Sequence, residues 1–82
     1  MEADEQIIEF LREELRSIKP ALPRDWPLAA HFKQDLNLDS LDLVELVARI
    51  EQRYELMIPD ADLPGFTSLE ALHAYIVERV SA

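Results

Sequence analysis

Apolar residues recur at helical spacing near the start of the chain. Within residues 4–18 they fall on one face of a helix, and the charged residues lie on the other faces. The apolar face comprises Ile7, Ile8, Leu11, Leu15 and Ile18. Pro20 follows directly, and a proline removes a backbone donor and clashes with the preceding helical turn. The pattern predicts a first helix over residues 4–18.

A second amphipathic segment covers residues 40–55 and carries two separate apolar stripes. The broad stripe, wide enough to face a core, comprises Leu43, Leu46, Val47, Ile50 and Tyr54. The narrow stripe comprises Leu41, Val44 and Ala48. A helix in a small bundle needs only one buried stripe. The narrow stripe is therefore either an exposed docking surface edged by acids or a surface that the preceding loop covers.

A third helical pattern covers residues 67–80. It opens with Thr67-Ser68-Leu69-Glu70, which fits a capping box. The predicted buried face comprises Leu69, Leu72, Ile76 and Val80. In the connection before this helix, residues 56–66, Pro59-Asp60 could open one helical turn. Pro64-Gly65 would interrupt anything longer.

The connection over residues 19–38 is unusually long for a compact domain, so its own apolar residues should pin it to the core. These residues are Leu22, Trp26, Leu28, Phe32 and Leu36. Trp26 lies beside prolines and is expected to cover the core. A short helical turn is expected near residues 28–34.

Together these elements predict an all-α fold: a small bundle of three main helices with a short additional helix or turn before the last one. The chain has 82 residues, about half of them apolar, which suits one small folded domain over residues 1–82. No repeat and no strand pair is evident in the sequence.

Composition narrows the classes of partner. The chain has no cysteine, which excludes disulfides and thiolate metal sites. A formal net charge of −9 argues against binding nucleic acid or anionic lipid and favours partners with basic patches. The acidic start, Met1 to Glu5, is unlike a signal peptide, and no apolar run is long enough to span a membrane. We therefore expect a cytoplasmic monomer that does not insert into membranes.

The start of the second helix carries the most specific signal. Asp39 is a suitable N-cap, and Asp42 would then lie at the third helical position, where the helix dipole favours an acid. Ser40 would be the first helical residue, with its hydroxyl at a helix start that accommodates phosphate. The ordinary alternative is that Ser40 is itself the cap.

Two other chemistries fit this region poorly. Asp35, Asn37 and Asp39 match the opening of an EF-hand loop, but Ser40 and Leu46 stand where that loop requires glycine and glutamate.

A catalytic triad could be drawn from Ser40, an acid and either His31 or His73. However, no G-x-S-x-G elbow is present, and Gly65 is the only glycine. We therefore expect a protein that is not an enzyme and has no metal site.

The stretch from Asp35 to Asp42, D-L-N-L-D-S-L-D, resembles the attachment-site signature of acyl carrier proteins, commonly D-L-G-x-D-S-L-D. The resemblance needs no gap from Phe32 to Ile76, passing through Ile58-Pro59-Asp60. It implies an acyl-carrier-like four-helix bundle with 4′-phosphopantetheine attached to Ser40. The terminal thiol of that arm holds acyl groups as thioesters.

The resemblance also implies partners. A phosphopantetheinyl transferase would load the arm, and acyl-transferring, condensing and reducing enzymes of fatty-acid or polyketide synthesis would dock on the helix after the serine. Carried over by position, the docking face comprises Asp39, Leu41, Asp42, Val44, Glu45 and Ala48. The alternatives are a carrier for aminoacyl or other unusual cargo and an unmodified acidic helical module that binds proteins.

Several residues depart from the family pattern. Asn37 replaces the usual glycine, and a positive φ is still expected there because asparagine tolerates it. Arg49 and Arg53 stand where neutral or acidic residues are common, although Glu45 and Arg49 have the spacing of a surface ion pair. Phe66 is a bulky residue near the expected entrance for cargo.

Overall fold

The computed structural model describes residues 2–23 and 25–81. Three α-helices and one 3₁₀ helix follow one another along the chain: α1 (Glu2–Ile18), α2 (Ser40–Tyr54), the 3₁₀ helix (Asp60–Gly65) and α3 (Leu69–Ser81). Extended pairing in the described ranges is limited to one isolated bridge between His31 and Ser68. These elements confirm the predicted all-α bundle. None of the helices described is both long and apolar enough to cross a membrane.

One hydrophobic core joins the helices to the long loop. The predicted faces supply its centre, with Leu11 and Leu15 from α1, Leu46 and Ile50 from α2, and Leu69, Leu72 and Ile76 from α3 fully buried. The prediction for Val80 is wrong, because this side chain is 41% exposed. Val77 is the last α3 residue that packs against the core, so Val80 lies beyond the core contacts of the helix.

α1 packs against both α2 and α3. Arg49 of α2 joins the first pair of helices, since its guanidinium contacts the Glu14 carboxylate of α1 at 3.2 Å. The same guanidinium contacts Glu45 at 3.2 Å, which confirms the ion pair predicted within α2. Arg49 thus bridges an acid of the expected docking face to the neighbouring helix.

The long loop is pinned by Trp26, as predicted. Its ring is buried, the Arg12 guanidinium lies 4.5 Å from the ring centroid, and that guanidinium donates to the Trp26 carbonyl at 3.0 Å. The helical turn expected near residues 28–34 lies slightly later, where the Asp35 N–H donates to the His31 carbonyl at 2.8 Å. The loop goes no further into helix because it bonds to the start of α3 instead: the Phe32 N–H donates to the Thr67 carbonyl at 2.8 Å.

The N-cap of α3 lies one residue after the predicted one, and the helix begins at Leu69. Ser68, not Thr67, is the capping residue, because its Oγ accepts the Ala71 N–H at 3.1 Å. The Glu70 N–H, which a Thr67 cap would have engaged, donates to the Leu28 carbonyl at 3.0 Å. A tertiary contact with the loop therefore takes the donor that the local motif would have used.

The 3₁₀ helix includes Pro64-Gly65, so the prediction that this pair interrupts anything longer than one turn is wrong. It is held to α3 by its Asp62 carboxylate, which accepts the Tyr75 hydroxyl at 2.6 Å and an Arg79 N–H at 3.4 Å. The Arg79 guanidinium also lies 4.6 Å from the Tyr75 ring centroid. Burial and the hydrogen bond to Asp62 raise the pKa of Tyr75 above its ordinary value. These contacts position the wall of the site described next.

Candidate functional site

α2 begins with a complete capping box. Asp39 has extended backbone, and its Oδ1 accepts the Asp42 N–H at 2.9 Å. In return, the Asp39 N–H donates to Asp42 Oδ2 at 3.1 Å. Asp39 is thus the N-cap and Asp42 the third helical residue, both as predicted. Ser40 is the first helical residue, it is exposed, and its hydroxyl makes no hydrogen bond to any residue described.

The turn before Ser40 is tightly anchored. Leu36 and Leu38 are buried on either side of Asn37, and the Leu38 N–H donates to the Phe32 carbonyl at 2.9 Å. Asn37 has φ 61°, which confirms the predicted left-handed conformation. The Lys19 ammonium donates to the Asn37 carbonyl. These contacts anchor the turn that leads into Ser40 at the start of α2.

The narrow apolar stripe of α2 is open to solvent. Leu41 is 77% exposed and Val44 is 52% exposed, and Ala48 is exposed one turn further along. Of the two alternatives left by the sequence, burial of Leu41 and Val44 under the loop is therefore excluded. An exposed Leu and Val side by side in a chain this small form a surface suited to a partner.

The acids around this stripe are already engaged within the fold. Asp39 and Asp42 each use one carboxylate oxygen in the capping box. Glu45 contacts Arg49, which also contacts Glu14. The six residues predicted for the docking face run along α2 from the N-cap Asp39 to Ala48, and Arg49 partly offsets the negative charge of Glu45.

Two adjoining clefts lie beside Ser40. The outer cleft, with a volume of about 240 Å³, is lined by Lys33, Ser40, Leu43, Val44, Leu63 and Pro64. The inner cleft, about 250 Å³, shares four of these residues (Lys33, Leu43, Leu63 and Pro64) and continues to His31, Phe32, Phe66 and Thr67. Leu43, expected in the core, thus also forms a cleft wall. Most of the residues lining the two clefts are apolar, and Phe66, which lines the inner cleft, is buried.

Leu63 and Lys33 are the two cleft-lining residues that the sequence analysis did not single out, and the charged one is Lys33. It is exposed on the loop and lines both clefts. A signal was present, because Lys33 is the only lysine or arginine between residues 25 and 48, a segment rich in acids.

The residues considered for a calcium loop or a catalytic triad have other roles in the structure. The Nδ1 atom of His31 accepts the backbone N–H groups of Lys33 and Gln34, at 3.2 and 3.3 Å. The Asp35 carboxylate accepts the His31 N–H at 2.7 Å, while the Asp39 carboxylate caps α2. His31 and Asp35 thus stabilise the loop, and nothing in their geometry directs them at the Ser40 hydroxyl.

A family model described as a phosphopantetheine attachment site matches residues 5–76. This match covers most of α1, the loop, α2, the 3₁₀ helix and most of α3.

Named relatives show the same similarity. An acyl carrier protein of Rubrobacter xylanophilus is 42% identical over 53 residues, which is 65% of this chain and 65% of that protein. A mitochondrial acyl carrier protein of Neurospora crassa is 40% identical over 60 residues, 73% of this chain and 45% of that protein. The meromycolate extension acyl carrier protein of Mycolicibacterium smegmatis is 35% identical over 72 residues, 88% of this chain and 73% of that protein. The chain thus matches less than two thirds of the length of the first two relatives.

Proposed function

Because this chain belongs to the acyl carrier protein family with its phosphopantetheine attachment site, we propose that it carries acyl groups on a 4′-phosphopantetheine arm attached to Ser40. The observation that carries this proposal is the state of the Ser40 hydroxyl. It is exposed at the first position of α2, and the capping role that usually occupies such a serine belongs to Asp39. The residues present therefore fit the group.

For attachment, this chain needs to supply little more than an accessible hydroxyl oxygen. The Ser40 Oγ would form a bond to the phosphorus of the pantetheine phosphate in coenzyme A. The pyrophosphate bond of coenzyme A would break, adenosine 3′,5′-bisphosphate would leave, and the hydroxyl proton would pass to a base on the transferase. The N-terminus of α2 favours the negative charge that results. Once attached, the arm supplies a thiol that holds an acyl group as a reactive thioester.

This chain would contribute position and identity, while catalysis belongs to its partners. We infer that the docking face is the exposed strip at the start of α2, comprising Asp39, Leu41, Asp42, Val44, Glu45 and Ala48. Its apolar centre would supply contact area, and its acids would attract basic patches. The partners are a phosphopantetheinyl transferase and acyl-transferring, condensing and reducing enzymes. The chain would act as one carrier domain.

Intact-mass measurement after incubation with coenzyme A and a broad-specificity phosphopantetheinyl transferase tests the proposal. The wild-type chain should gain the mass of one phosphopantetheine, and Ser40→Ala should gain nothing. Ser17→Ala is the matched control, because Ser17 is also exposed on a helix but lies on α1. It should load like wild type.

An unmodified wild-type chain, in a reaction where a known carrier protein loads fully, would refute the proposal and favour an acidic helical module that binds proteins unmodified. Loading that persists in Ser40→Ala would refute the assignment of the site alone.

A further inference from the structure

The Lys33 side chain lies beside the attachment serine and makes no bond to other residues of the described fold. It lines the outer cleft together with Ser40 and also lines the inner cleft. Its backbone N–H bonds the His31 ring, but within the described part of the chain its ammonium makes no ion pair or hydrogen bond. The nearby cations differ, since Lys19 donates to the Asn37 carbonyl and Arg49 contacts two glutamates.

A phosphodiester on Ser40 would add negative charge to an acidic neighbourhood. Asp39 and Asp42 flank the serine, and the chain has a formal net charge of −9. The α2 N-terminus attracts anions through its free N–H groups, but the Asp39 carboxylate already accepts the Asp42 N–H. The helix start therefore offers an anion fewer free N–H donors than an uncapped helix would. More of the negative charge of a phosphodiester is then left for a nearby cation to balance.

We propose that Lys33 binds the phosphodiester carried on Ser40. This inference rests on the proposed attachment at Ser40. The lysine side chain suits the role because its ammonium is a point charge on a flexible four-carbon stem, able to reach a phosphate from an exposed loop. Lys33 would thereby keep the attachment point at the mouth of the cleft that continues past Leu43, Leu63 and Pro64.

The test compares three variants in their unloaded and loaded forms. Lys33→Gln removes the proposed contact, Lys33→Arg retains the charge, and Arg16→Gln removes one exposed charge from α1, away from both clefts. Each protein is loaded with excess transferase, and loading is verified by intact mass. Thermal unfolding and the ³¹P resonance of the phosphodiester are then measured at low salt and at 1 M salt.

Loading should lower the unfolding midpoint of Lys33→Gln more than that of wild type, by about 1–8 °C for an exposed pair in a domain this size. The excess should vanish at 1 M salt, where the Debye length is about 3 Å. The ³¹P resonance of Lys33→Gln should move away from the wild-type position at low salt. Lys33→Arg and Arg16→Gln should keep the wild-type position, and the unloaded proteins should unfold alike.

Two results would overturn the inference while leaving the carrier function intact. One is equal behaviour of Lys33→Gln and Arg16→Gln in both measurements. The other is failure of Lys33→Gln alone to load, which would place Lys33 at the transferase contact. A wild-type chain that does not load, beside a control carrier that does, would overturn the proposed function and this inference with it.

Discussion

Replacing Asp39 should separate two roles that this residue combines: capping α2 and supplying charge to the docking face. Asp39→Ala removes the side-chain acceptor of the Asp42 N–H but keeps the backbone N–H that donates to Asp42 Oδ2. Asp39→Asn removes the charge but keeps an oxygen that can accept the same bond, and asparagine caps helices about as well as aspartate. The two variants therefore form a matched pair.

The expected cost follows from the observed geometry. Loss of an N-cap lowers the free energy of unfolding by about 0.5–2 kcal/mol, typically about 1 kcal/mol. Asp39→Asn loses only the interaction of the charge with the helix dipole, about 0.3–1 kcal/mol at an exposed site. Because α2 contributes fully buried Leu46 and Ile50 to the single core, loosening its first turn should register in global unfolding.

Urea denaturation followed by circular dichroism measures both effects. With a slope of about 1 kcal/mol per molar urea for a small domain, the Asp39→Ala midpoint should fall by about 1 M. The Asp39→Asn midpoint should fall by less than that of Asp39→Ala, by about 0.3–1 M at low salt, and this loss should shrink at high salt, which screens the interaction of the charge with the helix dipole. Equal losses in the two variants would show that the capping bond contributes nothing and that charge alone acts at this position.

Three further predictions concern the face, the core and the 3₁₀ helix. Asp42→Lys should slow partner turnover and flatten its salt dependence more than Glu45→Lys, because the Glu45 charge is already paired; equal effects in steady-state kinetics would contradict this. Leu46→Ala should cost about 2–5 kcal/mol in urea denaturation. Val44→Ala should lower the free energy of unfolding by less than about 0.5 kcal/mol but weaken partner binding measured by calorimetry. A large loss of stability in Val44→Ala, with weakened partner binding in Leu46→Ala instead, would mean that the core-facing and partner-facing stripes of α2 are assigned the wrong way round. Tyr75→Phe should cost about 0.5–1.5 kcal/mol near neutral pH. The folded pKa of Tyr75 is raised, so the stability from its hydroxyl is fully present below the unfolded pKa of about 10 and is lost as pH rises through the folded pKa. The free energies of unfolding of wild type and Tyr75→Phe should therefore converge above pH 10 in denaturation experiments. A stability difference between wild type and Tyr75→Phe that stays constant to higher pH would contradict the hydrogen bond between Tyr75 and Asp62.

Local patterns in the sequence determined the features that depend on residues within a few positions of one another. The apolar periodicity placed α1, α2 and α3, because a helix brings residues three and four apart onto one face. The order Asp39, Ser40, Asp42 determined the capping box for the same reason, since all its bonds span three residues. Asn37 in the left-handed region also followed from the residue type in its local signature.

Contacts between distant segments decided the rest. Whether Leu41 and Val44 were covered or exposed depended on the path of the loop, which the periodicity of α2 does not determine. Ser68 became the α3 cap because the Leu28 carbonyl, forty-two positions before Glu70, took the Glu70 N–H. Lys33 was brought beside Ser40 and Leu63 in the same way. The helices and the α2 capping box follow from neighbours along the chain, whereas the choice of the α3 cap, the cleft, its lysine and the open strip depend on where separate segments meet.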